Sequence, residues 1–147
     1  MSWVLADMVN QQLTARESEF EFALMKLSSD KDYFHMVQSS ILNDITTHYT
    51  NENDLVEQEY EQKMKGKDPS SNEYLQLSLE KNSKLQELNN SQTNEIQAHQ
   101  DRVDRKEVYY DSRQEMIEAQ LKDIRAQKET WSDYKQKAVE EECSYFK

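Results

Sequence analysis

Two histidines and two aspartates are the side chains in this sequence that could bind a metal ion together. If two helices fold back on each other, His35 and His99 come to similar heights, and with Asp32 or Asp101 they could form a weak metal site. Imidazole and carboxylate groups bind zinc, but a zinc site needs three or four ligands that converge on one point. We therefore interpret both histidines as exposed residues of helix surfaces, and we predict neither a metal site nor another cofactor.

The other groups with reactive potential are isolated. Cys143 is the only cysteine, and three glutamates precede it directly, which disfavours a reactive thiolate. The sequence has no glycine-rich phosphate loop, no Cys-x-x-Cys pair and no His-Glu-x-x-His motif. These features predict a protein that is not an enzyme.

The composition predicts an all-α protein. One glycine and one proline occur in 147 residues, and helices exclude both residue types from their interiors. Hydrophobic residues make up 35% of the chain and charged residues 32%, as in thin helical bundles whose helices are largely solvated. The net charge of −11 without a basic stripe argues against nucleic acid as a partner. A monomer that is disordered alone and folds on assembly is the competing interpretation.

Apolar residues recur at every seventh position in two stretches, which we call the seams. The first seam is Leu13, Phe20, Leu27, Phe34 and Ile41, and the second is Ile96, Val103, Tyr110, Ile117, Ile124, Trp131, Ala138 and Tyr145. A seven-residue repeat sustained over this length is typical of helices that keep one stripe against a partner helix, as in coiled coils. We predict that the seams drive assembly.

The seams and the turn residues predict one domain, residues 1–147, formed by a long antiparallel helical hairpin. The first arm covers residues 2–64, with a possible break at residues 50–54, where Thr, Asn and Asp accumulate. The turn covers residues 65–72 and contains Gly66 and Pro69. The second arm covers residues 72–147.

The predicted hairpin also sets which residues lie opposite each other. A turn centred near residue 68 pairs positions whose numbers sum to about 136 if the arms run side by side. Leu13 then lies near Ile124, and Trp3 lies near Trp131. An aromatic cluster is predicted at this end of the hairpin, where it could contact a neighbouring subunit or another protein: Trp3, Trp131, Tyr134, Tyr145 and Phe146.

Apolar residues outside the seams predict self-association. They include Phe22, Met25, Val108, Met116 and Leu121, which a lone hairpin would leave in water. The leading hypothesis is a structural subunit that assembles into a larger helical bundle or filament. The alternative is an acidic adaptor or chaperone for a partner helix, because residues 1–73 hold 14 acidic and 6 basic residues, against 15 and 12 in the remainder.

The sequence has neither an apolar run that could span a membrane nor a signal peptide at its start. It therefore predicts a protein that is cytoplasmic or exported without a cleavable leader.

The layout resembles that of the helical-hairpin subunits of bacterial secretion filaments. The stretch Leu88-Asn-Asn-Ser-Gln-Thr-Asn-Glu-Ile-Gln97 is similar to part of their C-terminal arm, although this arm carries more charge than a helix buried in a filament. The start, Met1-Ser-Trp-Val-Leu-Ala6, and the runs Leu13–Arg16 and Leu24–Leu27 resemble uncharacterised bacterial coiled-coil hairpin proteins. These resemblances imply a bacterial structural or secreted subunit.

Overall fold

Two long helices account for almost all of the residues that the structure describes. The structure is a computed structural model that describes residues 3–145, and the side chains of residues 3–144. Helix α1 is Trp3–Met64 and helix α2 is Asn72–Tyr145. Neither helix contains a glycine or proline, and no strand occurs between residues 3 and 145. The predicted all-α fold with two hairpin arms is confirmed.

The possible break at residues 50–54 does not occur, because α1 continues without interruption to Met64. The polar residues here are accommodated within the helix. Just before this segment, the hydroxyl of Thr46 donates to the carbonyl of Leu42 one turn earlier at 3.0 Å without breaking the helix. The low helix propensity of Thr, Asn and Asp therefore does not break so long a helix, because the helical turns on both sides favour its continuation.

The turn is organised by hydrogen bonds around Asp68 and Ser71. Gly66 has a φ of 76°, the left-handed conformation that ends α1 at low steric cost. The Asp68 carboxylate accepts hydrogen bonds from the backbone and the hydroxyl of Ser70, at 3.0 and 2.8 Å. These two bonds lower the pKa of Asp68. The Ser71 hydroxyl accepts from the backbone N–H of Tyr74 at 3.2 Å and so caps α2.

Contacts within the chain form two compact units. The first unit contains the residues up to Tyr33 and those from Glu107 onward. Its buried apolar residues are Ala6, Leu13, Tyr110, Ile117, Leu121 and Ile124. Because a single helix cannot bury its own side chains to this degree, α1 and α2 cover each other here. Leu121 lies in this core, whereas the sequence had suggested that a lone hairpin would expose it.

The second unit is Phe34–Lys106. Its buried side chains are polar or aromatic: Tyr49, Tyr60 and His99. Half-buried positions recur every three or four residues between them, and Gln92 takes the inner position between Leu88 and Ile96. The eight-residue spacing of Leu88 and Ile96 is thereby accommodated without interrupting α2.

Within each unit the arms run antiparallel, but the predicted pairing of residues is wrong by several positions. Asp7 contacts Lys135 in the first unit, and Tyr49 contacts Glu95 in the second. In these two pairs the partner in α2 lies six and eight positions further along the chain than predicted, whereas the Lys31–Glu107 pair differs from the prediction by two. The reason is that helical side chains lean toward the N-terminus of their own helix. In antiparallel helices they lean in opposite directions, so a contact joins residues whose Cα atoms lie at different heights.

Candidate interaction surfaces

The predicted seam residues lie mostly on the inner faces of the two units. Leu13, Tyr110, Ile117 and Ile124 are buried. Half-buried are Phe20, Leu27, Phe34, Ile96, Val103, Trp131 and Ala138, while Ile41 is exposed. The side chain of Tyr145 lies outside the described residues. These inner faces are therefore largely covered within one chain, and the role of the seams in assembly stays a prediction.

Ion pairs join the two arms of the first unit beside the buried residues. The carboxylate of Glu17 accepts hydrogen bonds from Lys128 at 2.9 Å and from Arg125 at 3.1 Å. Arg125 also donates to Glu21 at 3.1 Å, and Lys135 donates to Asp7 at 2.7 Å. In these pairs α1 supplies the acid and α2 the base, whereas Lys31 reverses the order by approaching Glu107 and Asp111. The pairs stabilise one antiparallel register of the unit.

Glu17 is the best-connected carboxylate of this set. The hydrogen bonds from Lys128 and then Arg125 lower its pKa below the ordinary glutamate value. A carboxyl group whose pKa falls on folding stabilises the folded state when it is ionised. That stabilisation is present above the ordinary glutamate pKa, about 4.3, and is lost as the pH falls through the lower pKa of the folded state.

Glu17→Gln is therefore expected to lower stability at neutral pH and to flatten its decline in acid. A glutamine cannot ionise, so the variant lacks the component of the decline that wild type shows below about pH 4. Urea unfolding monitored by circular dichroism at a series of pH values measures the difference. Glu19→Gln, an exposed position two residues away, is the control and should follow the wild-type curve. Equal pH profiles for wild type and Glu17→Gln would contradict the assignment.

In the second unit, the aromatic ring of Tyr60 packs between two lysine side chains. Tyr60 is buried, with the Nζ atoms of Lys63 and Lys84 at 4.9 and 5.3 Å from its ring centroid. Lys63 donates to Glu59 at 2.9 Å, and this bond lowers the pKa of Glu59. The Nζ atom of Lys84 lies 3.6 Å from the same Glu59 carboxylate, so both ammonium groups contact the ring of Tyr60 and Glu59.

Tyr49 forms a comparable polar contact in the core of the second unit. Burial raises the pKa of its hydroxyl group, and a hydrogen bond to the carboxylate of Glu95 raises it further. The phenol therefore stays protonated and donates to Glu95.

The predicted aromatic cluster at the chain ends forms only in part. Trp131 and Tyr134 pack edge to face, with ring centroids 5.6 Å apart. Trp3 instead donates from its indole nitrogen to Glu142 at 3.0 Å, and the Nζ atom of Lys135 lies 5.8 Å from its ring centroid. The N-terminal lean of helical side chains explains this shift in partner. The side chain of Tyr145 and all of Phe146 lie outside the described residues.

The histidines do not share an environment. His35 is exposed and packs edge to face on Phe34, with ring centroids 5.8 Å apart. His99 is buried, and its Nδ1 atom has no hydrogen-bond partner. The expectation that both are exposed is wrong for His99, because it lies three residues after Ile96 and four before Val103, on the inner face of α2. Among the described residues, no three His, Cys, Asp or Glu side chains form a group suited to a metal ion.

Large apolar side chains are exposed on the outside of the helices. Phe22 is 68% exposed, Met25 72% and Tyr33 65%. Others at least half exposed are Met8, Met36, Leu55, Leu75, Leu79, Val108, Tyr109 and Met116. The sequence predicts exposure for several of these residues because they lie outside the seams. It predicts the same for Leu121, which the structure shows to be buried. Scattered apolar residues are common on surfaces, whereas a contiguous set marks an interaction site.

An open groove of about 510 Å³ adjoins these side chains in the first unit. Leu24, Met25 and Leu121 contribute apolar lining, and Arg125 at its edge is already paired with Glu17 and Glu21. The groove is thus a shallow apolar surface between the arms.

Neither helix has, within the described residues, a stretch apolar and long enough to cross a membrane. In comparisons with known proteins, the chain matches no family model, no curated protein and no solved structure.

Proposed function

We propose that this chain is a non-enzymatic structural subunit that associates with copies of itself into an oligomer or filament. The observation that supports this proposal is the number of large apolar side chains exposed on a chain of mean hydropathy −1.08. In a strongly polar sequence, exposed Phe, Met and Tyr residues at helical spacing are unfavourable in water unless a partner covers them. Self-association covers them without a second gene product.

The inner faces stabilise the fold of each chain, and the outer surfaces supply the contacts between chains. This division follows from the burial of Ile117 and Ile124 within one chain and the exposure of Phe22 and Met25 on its outside. The polar groups described above hold the arms to each other. The same chain therefore has one set of residues for folding and another for assembly.

Size-exclusion chromatography with light scattering tests the proposal directly. The expected result is a mass above the 17.5 kDa of one chain, rising with concentration. Negative-stain images of the same fractions distinguish a closed oligomer from a filament. A folded species that stays monomeric at tens of micromolar would contradict the proposal.

The acidic adaptor is the second candidate, and the net charge of −11 is the observation that favours it. An adaptor of this kind binds a basic helix, and salt weakens the complex by screening. A chain that is monomeric alone but gains thermal stability from a basic amphipathic helix at low salt would support this candidate over self-association.

A further inference from the structure

A stripe of nine exposed positions along α1 in the first unit carries no charge, and the charged residues Glu19 and Lys26 lie along its edge. Its positions follow one another at intervals of three or four residues: Val4, Met8, Gln11, Ala15, Ser18, Phe22, Met25, Ser29 and Tyr33. We call this set the outer face. Every member is exposed, whereas Ala6 and Leu13 on the opposite side of the helix are buried. At 3.6 residues per turn, the outer face therefore points away from α2.

An uncharged stripe in this place is unexpected for a helix that pairs with only one partner. The side of a paired helix that faces solvent normally carries the charged residues. Here Glu17 and Glu21 bond to α2, and the exposed charges of Glu19 and Lys26 lie along the edge of the outer face rather than within it. The pattern indicates that a second helix covers the outer face.

The chemistry of the outer face favours a second copy of the same face as that helix. A partner with a charged surface would lose hydration without gaining an ion pair, since the face offers no opposite charge. Two chains of net charge −11 repel each other, so contact is least costly where both surfaces are uncharged. The outer face of a second copy meets that condition and has the same helical period.

The sizes of the residues favour an antiparallel arrangement. Met8, Ala15, Phe22 and Ser29 follow at seven-residue intervals and alternate between large and small. When two copies of the face pair in antiparallel orientation, Phe22 of one copy can lie opposite Ala15 of the other, and Met8 opposite Ser29. Ser18, a small residue, then lies next to the two-fold axis, which allows close approach of the helices.

The exposed area is sufficient for a modest dimer. Val4, Met8, Phe22, Met25 and Tyr33 are between about one half and three quarters exposed. With roughly 150–200 Å² for each fully exposed large side chain, they leave about 500 Å² of surface per copy. A symmetric pair would bury about 1,000 Å², below the roughly 1,200–2,000 Å² of stable interfaces and within the range of weak, concentration-dependent ones.

We propose that the outer face of α1 binds the same face of a second copy in an antiparallel pair, with the two-fold axis next to Ser18. This inference rests on the proposed function. It specifies which surface associates and in which orientation the two copies lie.

Phe22→Glu tests the surface by light scattering over a concentration series of the full chain. Each dimer would then bury two unpaired carboxylates, so we expect its dissociation constant to rise at least about a hundredfold. The control is Val108→Glu, an α2 residue of the first unit that is 65% exposed and lies outside the face. Both variants should keep wild-type helicity, because each replaces an exposed residue.

The outcomes separate the surface from the proposed function. If wild type associates and both variants associate equally well, the outer face is the wrong surface while self-association stands. If wild type is a folded monomer throughout, both proposals fail, and a different protein has to cover the face.

Cysteine cross-linking tests the geometry after the exposed native thiol is removed with Cys143→Ser. In that background we expect Met8→Cys to cross-link with Ser29→Cys when the two variants are mixed. Met8→Cys alone should not cross-link with itself. Efficient Met8–Met8 cross-linking would show a parallel pair and overturn the antiparallel geometry.

Discussion

Ile117→Asp is expected to destabilise the first unit strongly. Ile117 is 5% exposed in the core of this unit, and a buried carboxylate without a partner is strongly unfavourable. We expect the free energy of unfolding to fall by about 3–5 kcal/mol, a large part of the 5–15 kcal/mol that stabilises a typical domain. Urea denaturation followed by circular dichroism measures the loss.

Met116→Asp provides the matched control because the same charge is introduced one residue away, where the side chain is 50% exposed. The expected change is within about 1 kcal/mol, since the carboxylate remains hydrated. Equal destabilisation by both variants would mean that α2 has a different inner face from the one described.

Tyr60→Ala is expected to have the largest effect in the second unit. Tyr60 is 1% exposed, and its truncation removes a buried ring together with the contacts to Lys63 and Lys84. Truncation of buried aromatic residues costs about 3–5 kcal/mol through lost burial and the cavity left behind. Thermal and urea unfolding should both show the decrease.

Two further substitutions serve as controls for Tyr60→Ala. Tyr60→Phe keeps the ring and should cost less than about 1.5 kcal/mol. Leu55→Ala removes an exposed side chain from the same helix and should change stability by at most about 0.5 kcal/mol. A large loss from Leu55→Ala would indicate that this part of α1 is covered by another chain, whereas a negligible loss from Tyr60→Ala would contradict the described core.

The sequence was sufficient to predict the helices and the turn because their signals are local. Gly66 and Pro69 are the only residues of their types, and both lie between α1 and α2. The seven-residue spacing also identified Leu13, Ile117 and Ile124, which are buried in the structure. A spacing rule identifies the inner face of a helix without any knowledge of its partner.

Pairing between the arms was harder to predict because it depends on the directions of side chains in space. Counting residues from the turn placed Trp3 near Trp131, while the structure has it bonded to Glu142. Residue type was equally misleading for His99, whose polarity suggested exposure although its position on α2 places it inside. The possible break at residues 50–54 was inferred from propensity, which the long uninterrupted helix overrides.

The single turn gives the contacts of the hairpin very different separations along the chain. Lys67 and Glu73 are six residues apart and can meet as soon as the turn forms, whereas Trp3 and Glu142 are 139 apart. Closing a longer loop costs more entropy, so contacts should form in sequence from the turn toward the chain ends. The residues around Gly66 and Ser71 then set the rate of folding, and those around Trp3 set how readily the arms begin to separate.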